Sequence, residues 1–190
     1  MTILQTLLAW DANVFHFINS SLTNPVFDVL LPLCREKWFW APVYLFLVAF
    51  SLLNFRHRSW IILLSLVAVV LISDQVSSEL IKKNVRRLRP CNDPALSATV
   101  QLRTACGSGF SFTSSHAANH FAVAVLLIGL FGRRHSWLNP AALLWAGLIA
   151  FSQVYVGVHY PGDVICGALL GMLVGWLMVV LIKRWAVPFS

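Results

Sequence analysis

The chain has 190 residues, of which 58% are hydrophobic and 11% charged, and its mean hydropathy is +0.76. A soluble globular domain carries about 45–50% apolar and about 25% charged residues, so that class is excluded and an integral membrane protein remains. The formal net charge of +7 would point to nucleic acid in a soluble chain, but the basic residues here stand in short clusters between apolar runs, which argues against such a partner.

The opening MTILQTLLAWDANVF has no basic leading region and no small-residue cleavage site, so a removable signal peptide is not expected. Within residues 1–34, Ile3, Leu4, Leu7, Leu8, Phe15, Ile18 and Leu22 recur at helical spacing, while Asp11, Asn13, Asn19, Ser20 and Ser21 interrupt them. That pattern predicts a helix lying in the membrane interface. Asn24-Pro25 breaks it, and residues 26–33 predict a second short helix.

Residues 38–55, 60–81, 117–132, 137–156 and 164–182 read as membrane spans. The second turns polar after Ile72, at Asp74, Gln75, Ser77, Ser78 and Glu79, so its far half must face protein or water. The expected fold is all-α: a polytopic transmembrane helix bundle with about five spans plus N-terminal interfacial helices, in one domain covering 1–190.

With five spans, Arg56–Arg58, the Arg133-Arg134 pair and the Lys183-Arg184 pair share one side, which the positive-inside rule makes cytoplasmic. The other side receives the long connection 82–115, expected to be an outward-facing catalytic loop. It carries Lys82, Lys83, Arg86, Arg87, Arg89 and Arg103, against the rule. Either something anionic on the outer face retains them, or the loop crosses regardless of its charge. Cys91 and Cys106 lie in this loop, where an oxidising compartment would allow a disulfide worth about 3 kcal/mol in the chain-entropy picture. No Cys/His pattern of zinc-site spacing occurs, and no metal is expected.

Three stretches of the expected outer face carry reactive groups. In KKNVRRLRP, Lys82 and Arg89 are two helical turns apart and can reach one site, where ammonium and guanidinium groups match phosphate oxygens. Taken alone, such a run equally suits lipid headgroups or solvent. In SFTSSHAANHF, Ser114, Ser115 and His116 precede the third span, where free backbone N–H groups favour an anion, although Ser114 also fits an ordinary N-cap. His116 can protonate a leaving oxygen near neutral pH, and His120, one turn on, is read as packing. In SQVYVGVHYPGDV, Asp163 is placed to accept from one nitrogen of His159 and leave the other free to attack. Asp163 as a mere helix-start acid is the bland alternative.

Together these residues resemble the three-part signature of the type 2 phosphatidic acid phosphatase family. Lys82, Arg89 and Pro90 match its first part; Thr113, Ser114, Ser115 and His116 match the second without its proline and glycine; Ser152, Gln153, His159 and Asp163 match the third. The resemblance implies metal-independent, cofactor-free hydrolysis of a lipid phosphomonoester or pyrophosphate. His159 would be the nucleophile that becomes phosphohistidine, Asp163 its support and His116 the proton donor. Lys82, Arg89, Ser114, backbone N–H groups near Ser115, and position 153 would hold the phosphate. Gln153 replaces an arginine of the signature: either Arg86, Arg87 or Arg103 supplies the missing charge, which is the reading favoured, or the enzyme is weak or inactive.

The implied substrates are undecaprenyl diphosphate first, then phosphatidylglycerophosphate, phosphatidic acid or a lipid A phosphate. The setting would be a bacterial inner membrane with the site on the periplasmic face, and the oligomeric state is left open. A phosphoryl transferase would share every residue named. A non-catalytic lipid-binding or transport protein is the other alternative, and the internal repeats usual in transporters are missing.

Overall fold

In the computed structural model, which describes residues 2–185, the described chain is helical and contains no strand. Helix α1 (Ile3–His16) opens with a capping box at Thr2 and Gln5 and runs into a π-helical turn, Phe17–Ser21. Asn24 caps α2 (Pro25–Arg35). Then follow α3 (Ala41–Phe55), α4 (Ser59–Gln75), a π-helical extension Val76–Lys82 and the single turn α5 (Lys83–Val85). After the long connection come α6 (Ser115–Phe131), α7 (Leu138–Tyr155) and α8 (Pro161–Trp185).

Helices α3, α4, α6, α7 and α8 fall on the five stretches expected to span. By length and composition, three stretches of the described chain can cross a membrane: Ala41–Asn92, which holds α3 and α4, then Leu138–Tyr155 and Pro161–Arg184. Helix α6 is apolar but shorter, at 17 residues.

Helix α6 is the hub, packed against α4, α7 and α8. Its contact with α8 is backbone to backbone. A Cβ added to Gly167, Gly171 or Gly175 would collide with the carbonyl oxygens of Ser114, Ala118 and Ala122 respectively. Small residues at four-residue spacing let two helices approach this closely. The contact sets the register of both helix starts, and the Ser114 N–H donates to the Asp163 carbonyl at 3.0 Å. Below it, Val69, Val123, Leu126, Val174 and Ile182 close an apolar core between α4, α6 and α8. At the far end of the bundle the Phe55 and Phe131 rings meet, next to the basic connections.

The N-terminal segment, expected in the membrane interface, also packs on the rest of the chain. Its exposed face carries Ile3, Leu4, Leu7 and Trp10, but Phe15 and Asn19 are fully buried. Asn19 donates to the carbonyls of Gln101 and Tyr155 and accepts from the Gln101 N–H at 2.8 Å. Asn19, one of the polar residues that break the amphipathic pattern, is therefore a docking contact for the long connection and α7.

Candidate active site

Two segments build the surroundings of His159. Helix α7 ends at Tyr155, Gly157 takes φ 89° in the turn that follows, and the N–H groups of Val158 and His159 both donate to the Gln153 carbonyl. The left-handed region suits glycine at such a turn. Pro161 then starts α8, placing Asp163 in its first turn. One Asp163 oxygen accepts the Tyr160 N–H at 2.9 Å and the Ser111 hydroxyl, and lies 3.5 Å from His159 Nδ1. Nδ1 facing a carboxylate carries the ring proton, leaving Nε2 as the free-base nitrogen. Nε2 faces Arg89, whose Nη1 is 3.4 Å away. Burial pushes the His159 imidazole down to about 4, against the opposing pull of the Asp163 hydrogen bond. At neutral pH the ring is thus a buried neutral base.

The second half comes from α4 and α6. The π-helical turn after α4 swings Ser77, Ser78 and Lys82 toward the start of α6, where all three meet the Ser115 hydroxyl. Lys82 Nζ donates to it at 2.8 Å. His116 is the next residue, and the charge of Lys82 acts on both His116 and His159, so the two imidazoles share one electrostatic site. His120 is committed elsewhere: Nδ1 bonds the His116 carbonyl at 2.8 Å, Nε2 lies 3.3 Å from the Tyr44 hydroxyl, and its ring meets Trp145.

Several expected residues do different work. Ser114 is fully buried, and its hydroxyl accepts the Ala117 N–H as an N-cap, leaving Ser115 as the hydroxyl beside Lys82. Gln153 is also fully buried; its amide nitrogen turns back to Ile149 and Ser152, and its Oε1 has no partner. Two of the three expected compensating arginines are already paired with carboxylates. Arg87 bonds Asp163 at 2.8 Å and Asp11 at 2.7 Å and stacks on Tyr160. Arg103 pairs with Asp28 at 2.5 Å and lies over Tyr155. Arg86 takes φ 53°, ends the α5 turn, and points its exposed side chain at the Lys83 carbonyl. Cys91 and Cys106 form a disulfide. Among the described residues no cluster of three His, Cys, Asp or Glu side chains is disposed to hold a metal ion.

A sequence model of the PAP2 superfamily matches residues 58–186. The chain belongs to the PAP2 superfamily. The match takes in Lys82, Arg89, His116, His159 and Asp163 together, and it places the chain among membrane lipid phosphatases. A lipid A 4'-phosphatase of Bacteroides thetaiotaomicron is 34% identical over 172 residues, spanning 88% of this chain and 74% of that one. An undecaprenyl-diphosphatase of Sulfolobus acidocaldarius is 30% identical over 174 residues, 90% of this chain and 78% of that one. The crystal structure of a PAP2-type phosphatidylglycerolphosphate phosphatase from Bacillus subtilis superposes with a TM-score of 0.71 at 20% identity, covering 97% of this chain and 90% of that one. That likeness is one of fold.

In this PAP2 chain a cavity of about 740 Å³ opens beside the site. Apolar side chains of α3 and α4, among them Leu47, Leu66, Val67 and Val70, form its walls, while Ser115, His116 and Arg35 stand at its polar end. His159 does not line it. The cavity therefore belongs to the His116 side.

Sequence reasoning missed three residues of this region. Ser111, in the same serine-rich stretch as His116, bridges Asp163 and His159, its hydroxyl lying 3.3 Å from Nδ1. Asp11 ties α1 to the site through Arg87 and the Gly162 N–H at 2.7 Å; its signal was a lone acid on an otherwise apolar helix face. Arg35 gave no pattern signal at all.

Proposed function

We propose that the chain removes a phosphate from a bilayer lipid by way of a phosphohistidine on His159, without a metal. Nε2 attacks phosphorus, the P–O bond to the lipid breaks, and the departing oxygen takes a proton from His116. Water then attacks phosphorus while His116 takes its proton, the P–N bond breaks, and phosphate leaves. Lys82, Arg89 and Ser115 hold the non-bridging oxygens as charge spreads over them, the term from which phosphoryl transfer gains most. Asp163 keeps the ring proton on Nδ1 and steadies the ring as charge develops.

The observation that carries this reading is the asymmetry of the two imidazoles. His159 is buried with Nδ1 on a carboxylate and Nε2 toward a guanidinium, whereas His116 stands at the end of an apolar cavity. In-line displacement puts the leaving group opposite the nucleophile, so the lipid belongs on the His116 side, where the cavity can take its tail.

We also place this end of the bundle at the non-cytoplasmic face and α1 and α2 in the interface. The opposite end holds Arg56, Arg58, Arg133, Arg134, Lys183 and Arg184, and the disulfide fits an oxidising compartment. In a bacterium this is the periplasmic side of the inner membrane.

A lipid A 4'-phosphate leads the substrate panel, because the relative at 34% identity is named for it; undecaprenyl diphosphate follows, then phosphatidylglycerophosphate and phosphatidic acid. Purified protein is assayed against all four with excess chelator present, and phosphate release is measured. Release from at least one lipid, unchanged by chelator, is expected. No release from any, or release only without chelator, contradicts the reading.

A further inference from the structure

Arg35 ends α2, and its guanidinium reaches the polar end of the cavity beside His116 and Ser115. Its Nη1 donates to the Thr104 hydroxyl at 2.6 Å, while its Nε is buried with no partner. The carboxylate whose field it feels is that of the adjacent Glu36, and the two form no salt bridge. Arg35 is also the leading like-charge neighbour of both His116 and Arg89. Arg35 and Arg89 are thus close enough for each charge to act on the other, and Arg35 makes no ion pair among the described residues although the Asp74 carboxylate lines the same cavity. A desolvated cation in that position is costly unless an anion completes it.

We infer that Arg35 is a substrate-binding residue that grips a phosphate oxygen from the side of the lipid leaving group, supplying the guanidinium that position 153 lacks. The inference rests on the phosphatase reading for its place in the reaction, but anion binding by Arg35 is separable from turnover. Arg89 holds the phosphate from the His159 side, and Arg35 holds it from the cavity side. Helix α2 packs directly against α7, the helix that carries Gln153, so the charge has moved from one helix to its neighbour. Gln153, turned inward, keeps only its backbone role beneath His159.

The test uses the full chain in detergent and two readouts: affinity for inorganic phosphate, and kcat/KM on whichever lipid of the panel turns over fastest. Arg35→Met keeps the stem and removes the charge. It is expected to weaken phosphate binding about 30-fold or more and to lower kcat/KM by about 10²-fold, with the melting temperature little changed, as for loss of one charged clamp donor. Arg35→Lys keeps the charge but loses the fork, so KM should rise several-fold with kcat nearly kept. Adding Gln153→Arg to Arg35→Met should recover at least tenfold of the lost phosphate affinity. Phosphate affinity within threefold of the parent in Arg35→Met overturns the proposal. If that variant does not fold, Arg35→Lys decides: unchanged KM with lowered kcat and stability overturns it. A parent that binds phosphate through Arg35 but turns over no lipid would fail the phosphatase reading and leave the binding assignment standing.

Discussion

Around His159, three separate segments contribute to one polar lattice: Asp11 from α1, Arg87, Arg89 and Ser111 from the long connection, and Tyr160 and Asp163 at the start of α8. Across the site, the α3 and α4 walls of the cavity carry apolar side chains, and Leu45, Leu53, Leu64 and Leu71 on the same two helices stay exposed. The first region holds atoms to within a hydrogen bond. The second offers volume and a mostly apolar lining. Phosphoryl transfer needs the first for alignment, whereas a flexible lipid tail needs only the second. His116 stands at the junction of the two.

The sharpest break in that comparison is removal of the carboxylate that fixes the nucleophile's tautomer. Asp163→Asn should lower kcat by about 10³-fold or more, as loss of an orienting acid does in other triads, with the helix content by circular dichroism retained. Next comes the strut behind it. Arg87→Met cuts both Asp163 and Asp11 loose, and a drop in kcat of about 10- to 10²-fold is expected, with KM for the lipid nearly unchanged. A drop confined to KM would show instead that Arg87 binds substrate.

The pH profile sharpens the contrast from the nucleophile's side. An ordinary histidine has a pKa of about 6.5 and is more than nine-tenths protonated at about pH 5. His159, pushed down to about 4 by burial, remains a free base there and becomes protonated only as pH falls through about 4. The acid limb of kcat/KM is therefore expected near pH 4, and a limb near 6.5 would show that the ring is not desolvated in the working protein. The smallest effect belongs to the loose region. Val67→Trp, filling the cavity wall, should raise KM for a long-tailed lipid several-fold while leaving a short-chain phosphate ester within about twofold.

Much of this arrangement was legible from the chain. Apolar runs located five helices, and the histidine, serine and basic positions at their ends converge because the polar ends of α4, α6 and α8 meet at one end of the bundle. The polar run after Ile72 was also informative: Ser77 and Ser78, just past α4, both meet the Ser115 hydroxyl. What could not be read was which cation serves which anion. Arg86, Arg87 and Arg89 are nearly adjacent in sequence, yet the left-handed turn at Arg86 sends one to solvent, one to Asp163 and one to His159. Arg35 is more than a hundred residues from Gln153, and only the packing of α2 on α7 brings their helices together. The inward turn of Gln153 and Ser114 was hidden for a related reason. Their residue types suit phosphate binding, but a helix register that turns the side chain inward is a tertiary outcome.

The central claim, that His159 Nε2 carries the phosphoryl group, is tested most directly by quenching turnover of a phosphate-labelled lipid in alkali, where phosphohistidine survives, and mapping the labelled peptide. The account predicts label on His159 in the parent, and neither label nor phosphate release in His159→Ala. Label on another residue, or steady phosphate release by His159→Ala, would contradict it.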